Sequence, residues 1–226
     1  MRLMVVDTAL GLCTVGVFLV DGAGLRQLGL RSEPMVKGHS ERIAGFARDA
    51  ATEAGVSFTD LDRIGVTVGP GSFTGLRVGL AFAQGLAAAL DRPVVGVSAL
   101  DALAASVPEA SPVAALIDAR RGQVYARFRD ENGPHGEPEA LTLEAASARI
   151  AGLASGAVLV GSGAALFTGT GVDIRVLEGP TAEALARLAA AADPALAPAR
   201  PLYLRAPDAT PPTRLPGQAR GSVRTP

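Results

Sequence analysis

Residues 69 to 77 read Gly69-Pro70-Gly71-Ser72-Phe73-Thr74-Gly75-Leu76-Arg77, a glycine-rich turn between an apolar strand and a helix. Such a turn can do one kind of chemistry: bare backbone N–H groups at a helix N-terminus hold phosphate. Two phosphate motifs test that reading. The P-loop needs Lys and then Ser or Thr after its last glycine, and here Leu76-Arg77 follow Gly75. The dinucleotide fingerprint needs a glycine three residues after Gly71, where Thr74 stands, and an acid after the next strand, where Ser98 stands. Both fail. The spacing suits a structural role better: Gly71 for a tight turn, Ser72 or Thr74 as helix cap, and Gly75 with Gly79 for close packing.

Asp7 and Asp118 form the second group. Each ends an apolar strand and opens a turn, and they stand 118 − 7 = 111 residues apart. In sugar-kinase and actin-like ATPases such bends hold phosphates and metal, and Gly161-Ser162-Gly163 resembles the adenosine-binding turn of those enzymes. No further acid, Lys or Gln is placed for ATP hydrolysis, so turn residues inherited without the chemistry are the favoured reading of Asp7, Asp118, Gly161 and Gly163. The histidines are His39 and His135, and Cys13 is the single cysteine, too few for a zinc site of His and Cys ligands. His39 reads as a local hydrogen-bonding or interface residue, and His135 as part of a solvated Gly/Pro turn. No Gly-x-Ser-x-Gly elbow supports a hydrolase. The expectation is no catalytic residue and no metal.

The elements that must position these residues follow from patterning. With 226 residues, 48% of them apolar, the chain can bury one large core or two modest ones. Strands are expected at 3–6, 15–20 and 25–31, a helix at 40–55 capped by Ser40, a strand at 64–68, a helix at 74–90, and a strand at 94–97. The second half repeats the opening with strands at 113–118 and 124–129, then a helix near 143–150, strands at 157–160 and 174–177, and a helix at 181–192. Strand, Asp, turn, strand, turn therefore occurs twice. The division expected is 1–98 and 99–206, with 207–226 a proline-rich disordered tail whose Arg214, Arg220 and Arg224 read as solvated. The 74–90 helix is polar between Thr74 and Leu90 only at Arg77 and Gln84. A helix apolar nearly all round is either covered on every side or completed by a partner.

Net charge is −1, which gives no electrostatic case for direct nucleic-acid binding. One cysteine and no signal-peptide pattern suit a cytoplasmic protein. No stretch approaches the roughly 18 uninterrupted apolar residues of a spanning helix.

Several segments together resemble the TsaB (YeaZ) family. They are Val6-Asp7-Thr8-Ala9, His39-Ser40-Glu41-Arg42-Ile43, the 69–77 signature with Val78-Gly79, Gly96-Val97-Ser98-Ala99-Leu100, Ile117-Asp118-Ala119-Arg120-Arg121-Gly122-Gln123-Val124-Tyr125, and Pro201-Leu202-Tyr203-Leu204-Arg205. The likeness thins between Gly133 and Gly156. It implies an α/β chain with the two-lobed actin-like ATPase (ASKHA, RNase H-like) fold of duplicated βββαβα-type domains. It implies a glycoprotease-like label but a non-catalytic subunit that dimerises with TsaD, is joined by TsaE, and reaches tRNA indirectly, through the complex. That complex transfers threonylcarbamoyl to the N6 of the adenosine beside the anticodon. Alone, the chain is expected to form a homodimer. It has no cofactor of its own, with ATP or ADP at the complex interface left open. Carried onto this chain, the partner surface is the 40–55 and 74–90 helices, with His39, Arg42, Ile43, Phe46, Phe73, Arg77 and Phe82 as candidates. The alternative is an active ATPase or small-molecule kinase of the same fold.

Overall fold

A computed structural model describes residues 1–109 and 112–205; the tail expected at 207–226 lies outside them. The elements run β1 (Arg2–Asp7), β2 (Leu12–Asp21), β3 (Gly24–Pro34), α1 (His39–Ala54), β4 (Arg63–Gly69), α2 (Phe73–Leu90), β5 (Val94–Ser98) and α3 (Ala99–Ala105), then β6 (Val113–Arg120), β7 (Gln123–Asp130), β8 (Gly133–Thr142), α4 (Leu143–Ala151), β9 (Val158–Val160), β10 (Asp173–Arg175) and α5 (Ala182–Ala191). Short 3₁₀ segments occupy Phe58–Asp60 and Ser162–Phe167.

The two halves share one topology. The first sheet has order β3-β2-β1-β4-β5 and the second, read in the same sense, β8-β7-β6-β9-β10. In each, three antiparallel strands form a meander and two parallel strands extend its first member. β1 and β6 are central, covered on both faces, which is why they read as unbroken apolar runs. This is the duplicated two-lobed actin-like fold. In the second copy the Ser162–Phe167 segment stands where the first has α2.

The third strand of the second half corrects the sequence reading. Gly133–Thr142 pairs with β7 along its length, and His135, expected in a turn, sits opposite Phe128 and bonds Asp130 at 2.8 Å. Pro134 and Pro138 hid it. Both are tolerated because β8 is an edge strand and the ladder shifts register beside Pro138. A smaller correction concerns α1. Its N-cap is Gly38 at φ 89°, not Ser40, and no side chain caps it.

The lobes are tied by their closing helices. α3 leaves the first sheet and packs Leu100, Leu103 and Ala104 among Val113, Ala115 and Ile117 of β6. α5 leaves the second sheet and packs Leu185, Ala186 and Ala189 among Leu3 and Val5 of β1 and Val95 and Val97 of β5. A division at 98/99 separates the two sheets, but the helix that covers the outer face of the first sheet comes from the far end of the chain.

α2 sits unusually close to the β1 end. Ser72 accepts from the Gly75 N–H, and Thr8 Oγ1 donates to the Gly75 carbonyl at 2.7 Å. A Cβ on Gly71 would strike the Ala9 carbonyl oxygen, one on Gly75 the Thr8 carbonyl oxygen, and one on Gly79 the Thr8 hydroxyl. Across the same helix Gly85 faces open space. One substitution should therefore have opposite effects at two sites. Gly75→Ala is expected to destabilise by about 1–3 kcal/mol through overpacking against backbone. Gly85→Ala is expected to stabilise by about 0.5–1 kcal/mol through helix propensity. Urea denaturation of the two variants checks both signs.

Candidate functional site: the groove between α1 and α2

α2 has two unlike apolar faces. Leu76, Leu80, Ala83 and Ala87 are buried. The opposite face leaves Ala81, Gly85, Ala88 and Ala89 exposed, and Val78, Phe82 and Leu86 half-buried. Two of the helix's polar residues are occupied. Gln84 Nε2 donates to the Ala199 carbonyl at 2.7 Å, and the Arg77 guanidinium lies 3.8 Å above the Phe73 ring. Beside this face α1 forms the second wall of an open groove of about 560 Å³. Ile43, Ala44, Phe73, Val78, Ala81 and Phe82 line it, with Ser40, Thr74 and Arg77 as its polar groups.

Of the residues singled out by sequence, Ile43, Phe73, Arg77 and Phe82 meet in this groove. Phe73 is 54% exposed, whereas Ile43 shows only an edge, at 3%. Arg42 stands exposed outside it, paired with Glu33 at 3.1 Å and 5.0 Å over the Phe46 ring. Phe46 and His39 are core residues, not surface ones. α1 turns that side toward β2 and β3. Phe46 joins their core, and His39 bonds the Leu12 carbonyl with its Nε2 left unpartnered. Burial pulls the His39 pKa down. Sequence reading did not single out Ala44 and Ala81, and it placed Val78 on the apolar face of the helix without naming it as a contact. Their signal was spacing alone, since 74, 78, 81 and 82 share one helical stripe.

The residues expected at a nucleotide cleft serve the chain's own turns. Asp7 is 1% exposed; its Oδ1 accepts from the Ala9 N–H at 3.0 Å, and its Oδ2 has no partner. The loop before α5 closes over it. The Gly11 N–H bonds the Glu178 carbonyl at 2.8 Å, and a Cβ on Gly179 would lie 3.4 Å from Asp7 Oδ2. Burial raises the Asp7 pKa, against the hydrogen bonds of the Ala9 N–H and the Thr67 hydroxyl. Asp118 accepts from the Arg120 N–H at 2.8 Å and pairs with the Arg120 guanidinium at 3.2 Å. Gly161 and Gly163 press against the β6 backbone. A Cβ on Gly161 would strike the Leu116 carbonyl, and one on Gly163 would lie 3.0 Å from the Ile117 carbonyl carbon. Ser162 Oγ accepts from the Asp118 N–H. Cys13 is buried, which with Asp7 and Glu33 nearby pushes its thiol up to about 11, away from nucleophilic use at neutral pH. Among the described residues no group of three His, Cys, Asp or Glu is placed to hold a metal ion.

Comparison with known proteins gives four matches. Residues 27–133 match the family model of TsaD, tRNA N6-adenosine threonylcarbamoyltransferase. The tRNA threonylcarbamoyladenosine biosynthesis protein TsaB of Escherichia coli K12 is 39% identical over 171 residues, 72% of each chain. An uncharacterized protein of Mycobacterium tuberculosis is 36% identical over 92% of this chain and 93% of its own. Among solved structures, YeaZ from Pseudomonas aeruginosa superposes with a TM-score of 0.74 at 30% identity, covering 90% of this chain and 99% of that one. α2 is long and apolar enough to cross a membrane by composition, but its Leu76/Leu80/Ala83/Ala87 face is committed to the core.

The sealed aspartate yields a pH-dependent expectation. A carboxyl whose folded pKa is raised above its unfolded value loses stability as pH climbs from about 4 upward, because the unfolded chain releases the proton first. Asp7→Asn keeps an oxygen for the Ala9 N–H and removes the buried charge. It should be more stable than the parent by about 1–3 kcal/mol at pH 7. The advantage should shrink toward pH 3. Thermal denaturation of both chains across that range measures it, and an Asp7→Asn chain no more stable at pH 7 would contradict the sealed, unpaired charge.

Proposed function

The chain belongs to the TsaB (YeaZ) family of tRNA threonylcarbamoyladenosine biosynthesis proteins, and from that premise we propose that it is the non-catalytic subunit of the modifying complex. It docks through the α1–α2 groove onto the transferase subunit TsaD, and TsaE joins the pair. The assembly then transfers threonylcarbamoyl to the N6 of the adenosine adjacent to the anticodon, in the cytoplasm. The observation that carries this reading is the outward face of α2. Ala81, Gly85, Ala88 and Ala89 are exposed around half-buried Val78, Phe82 and Leu86, with no free polar side chain among them. A contiguous apolar face of this kind marks a protein contact. The stretch similar to TsaD, residues 27–133, contains both α1 and α2. Two chains with like helices at like places can meet face to face, each presenting the same pair. The same face would pair two copies of this chain when the transferase subunit is absent.

An active ATPase or small-molecule kinase is the weaker reading. Its essential carboxylate would be Asp7, which the Glu178–Gly179 loop covers, and its nucleotide turn would be Gly161–Gly163, which the β6 backbone fills. Nucleotide held by the complex is expected to rest on the transferase subunit's residues.

Ala81→Glu tests the groove with little risk to the fold, because Ala81 is exposed. A carboxylate buried unpaired in an interface costs about 2–5 kcal/mol. Co-elution with the transferase subunit should be lost and tRNA modification by the reconstituted complex should fall at least tenfold, while the melting temperature of the lone chain stays put. Modification at the parent rate would contradict the assignment.

A further inference from the structure

Arginines from three separate segments of the chain converge with three aromatic rings where the lobes meet. The Arg77 guanidinium lies 3.8 Å over Phe73, the Phe73 ring lies 5.6 Å from Tyr203, and Arg77 Nε donates to the Tyr203 hydroxyl at 3.4 Å. Two residues on, Arg205 stands 5.8 Å over the Tyr125 ring and donates to the Ala119 carbonyl at 3.1 Å and to Gln123 Oε1. Those bonds fix Arg205 at the turn between β6 and β7. In that turn Arg120 and Arg121 both hold left-handed backbone, φ 62° and 54°, ahead of Gly122 at φ 70°. Asn, Asp and Gly suit such positions; two consecutive arginines are strained there, and strain of this kind gathers at working surfaces. The Arg120 side chain is 86% exposed and pairs with Asp118. Phe73 is 54% and Tyr203 46% exposed.

We infer that this ridge, from Phe73 and Tyr203 to the Arg120–Arg121 turn, binds a single-stranded segment of RNA. Rings interleaved with guanidinium planes are what unpaired bases stack on, and arginines spaced between them meet the phosphates. A net charge of −1 does not count against it, since binding answers to the local cluster of cations and not to the whole chain. The inference rests on the reading that the chain works in a complex acting on tRNA. It adds that this subunit touches the tRNA itself. Phe73 and Arg77 also line the α1–α2 groove, so the part of the ridge left open beside a docked partner is Tyr203, Tyr125, Arg205 and Arg120, which lie outside that lining.

Labelled tRNA is titrated with the full chain, without the transferase subunit, over a series of salt concentrations. The parent should bind saturably, with affinity that falls as salt rises. Arg120→Gln should weaken binding several-fold and lower the log–log salt slope by roughly one phosphate contact. Tyr203→Leu keeps an apolar side chain against Phe73 and should weaken binding about tenfold, with the slope unchanged. Ala88→Glu, exposed on α2 about three turns from Arg77, should bind tRNA as the parent does, even where it fails to pair with the transferase subunit. Absence of saturable binding by the parent overturns the inference, as does parent-like binding by both Arg120→Gln and Tyr203→Leu. If those two variants bind tRNA normally but no longer co-elute with the transferase subunit, the ridge is a protein contact and the inference fails. Loss of co-elution by Ala88→Glu bears on the open face of α2 alone.

Discussion

The contact on which the site depends is the one between the backbone of Thr8–Ala9 and the glycine face of α2. Gly71, Gly75 and Gly79 leave no side chain between helix and strand end, and the Thr8 hydroxyl bonds the Gly75 carbonyl. Two consequences follow. At the helix N-terminus the Gly75 N–H goes to Ser72 Oγ and the Ser72 N–H to the Ala9 carbonyl, so part of the feature that invites a phosphate is spent inside the fold. And α2 cannot roll, because its glycine stripe has one place to go. With that stripe and the Leu76/Leu80/Ala83/Ala87 face inward, Ala81, Phe82 and Gly85 must turn outward beside α1.

The same economy of small residues recurs in the second lobe, where Gly161 and Gly163 let the Ser162–Phe167 segment lie on the β6 backbone. Duplication placed equivalent turns at both strand ends, and in each copy protein backbone fills the space above the aspartate-bearing turn. The lobes themselves are interlocked. α3 packs on the second sheet and α5 on the first, and residues 197–205 stitch across both: Gly96 N–H to the Ala197 carbonyl, Leu202 N–H to the Val68 carbonyl, Arg205 to Ala119. A chain clamped this way is suited to present a fixed surface, whereas a kinase-type cycle needs its cleft to open and close.

Much of this was legible from residue types. Unbroken apolar runs such as Leu3 to Val6 mark central strands, Ser72 marks a helix start, and the paired Asp7 and Asp118 reveal the repeat. What stayed hidden was decided by tertiary partners. β8 carries two prolines and little apolar alternation, so only its edge position makes it a strand. The inward direction of Phe46 and His39 was ambiguous because α1 is bordered by apolar residues on more than one stripe. α5 reads as an ordinary terminal helix, and nothing local tells that it crosses to the first sheet. For the groove, the apolar character of α2 was plain in the sequence, but its outward face became visible only once the glycine stripe was seen pressed against Thr8.

The central claim is that the open side of α2 exists to be covered by a folded partner. Sedimentation equilibrium of the full chain, alone and mixed with the transferase subunit, measures that directly. The account predicts self-association alone, replaced by a one-to-one heterodimer on mixing. A chain that remains a monomer under both conditions would contradict it.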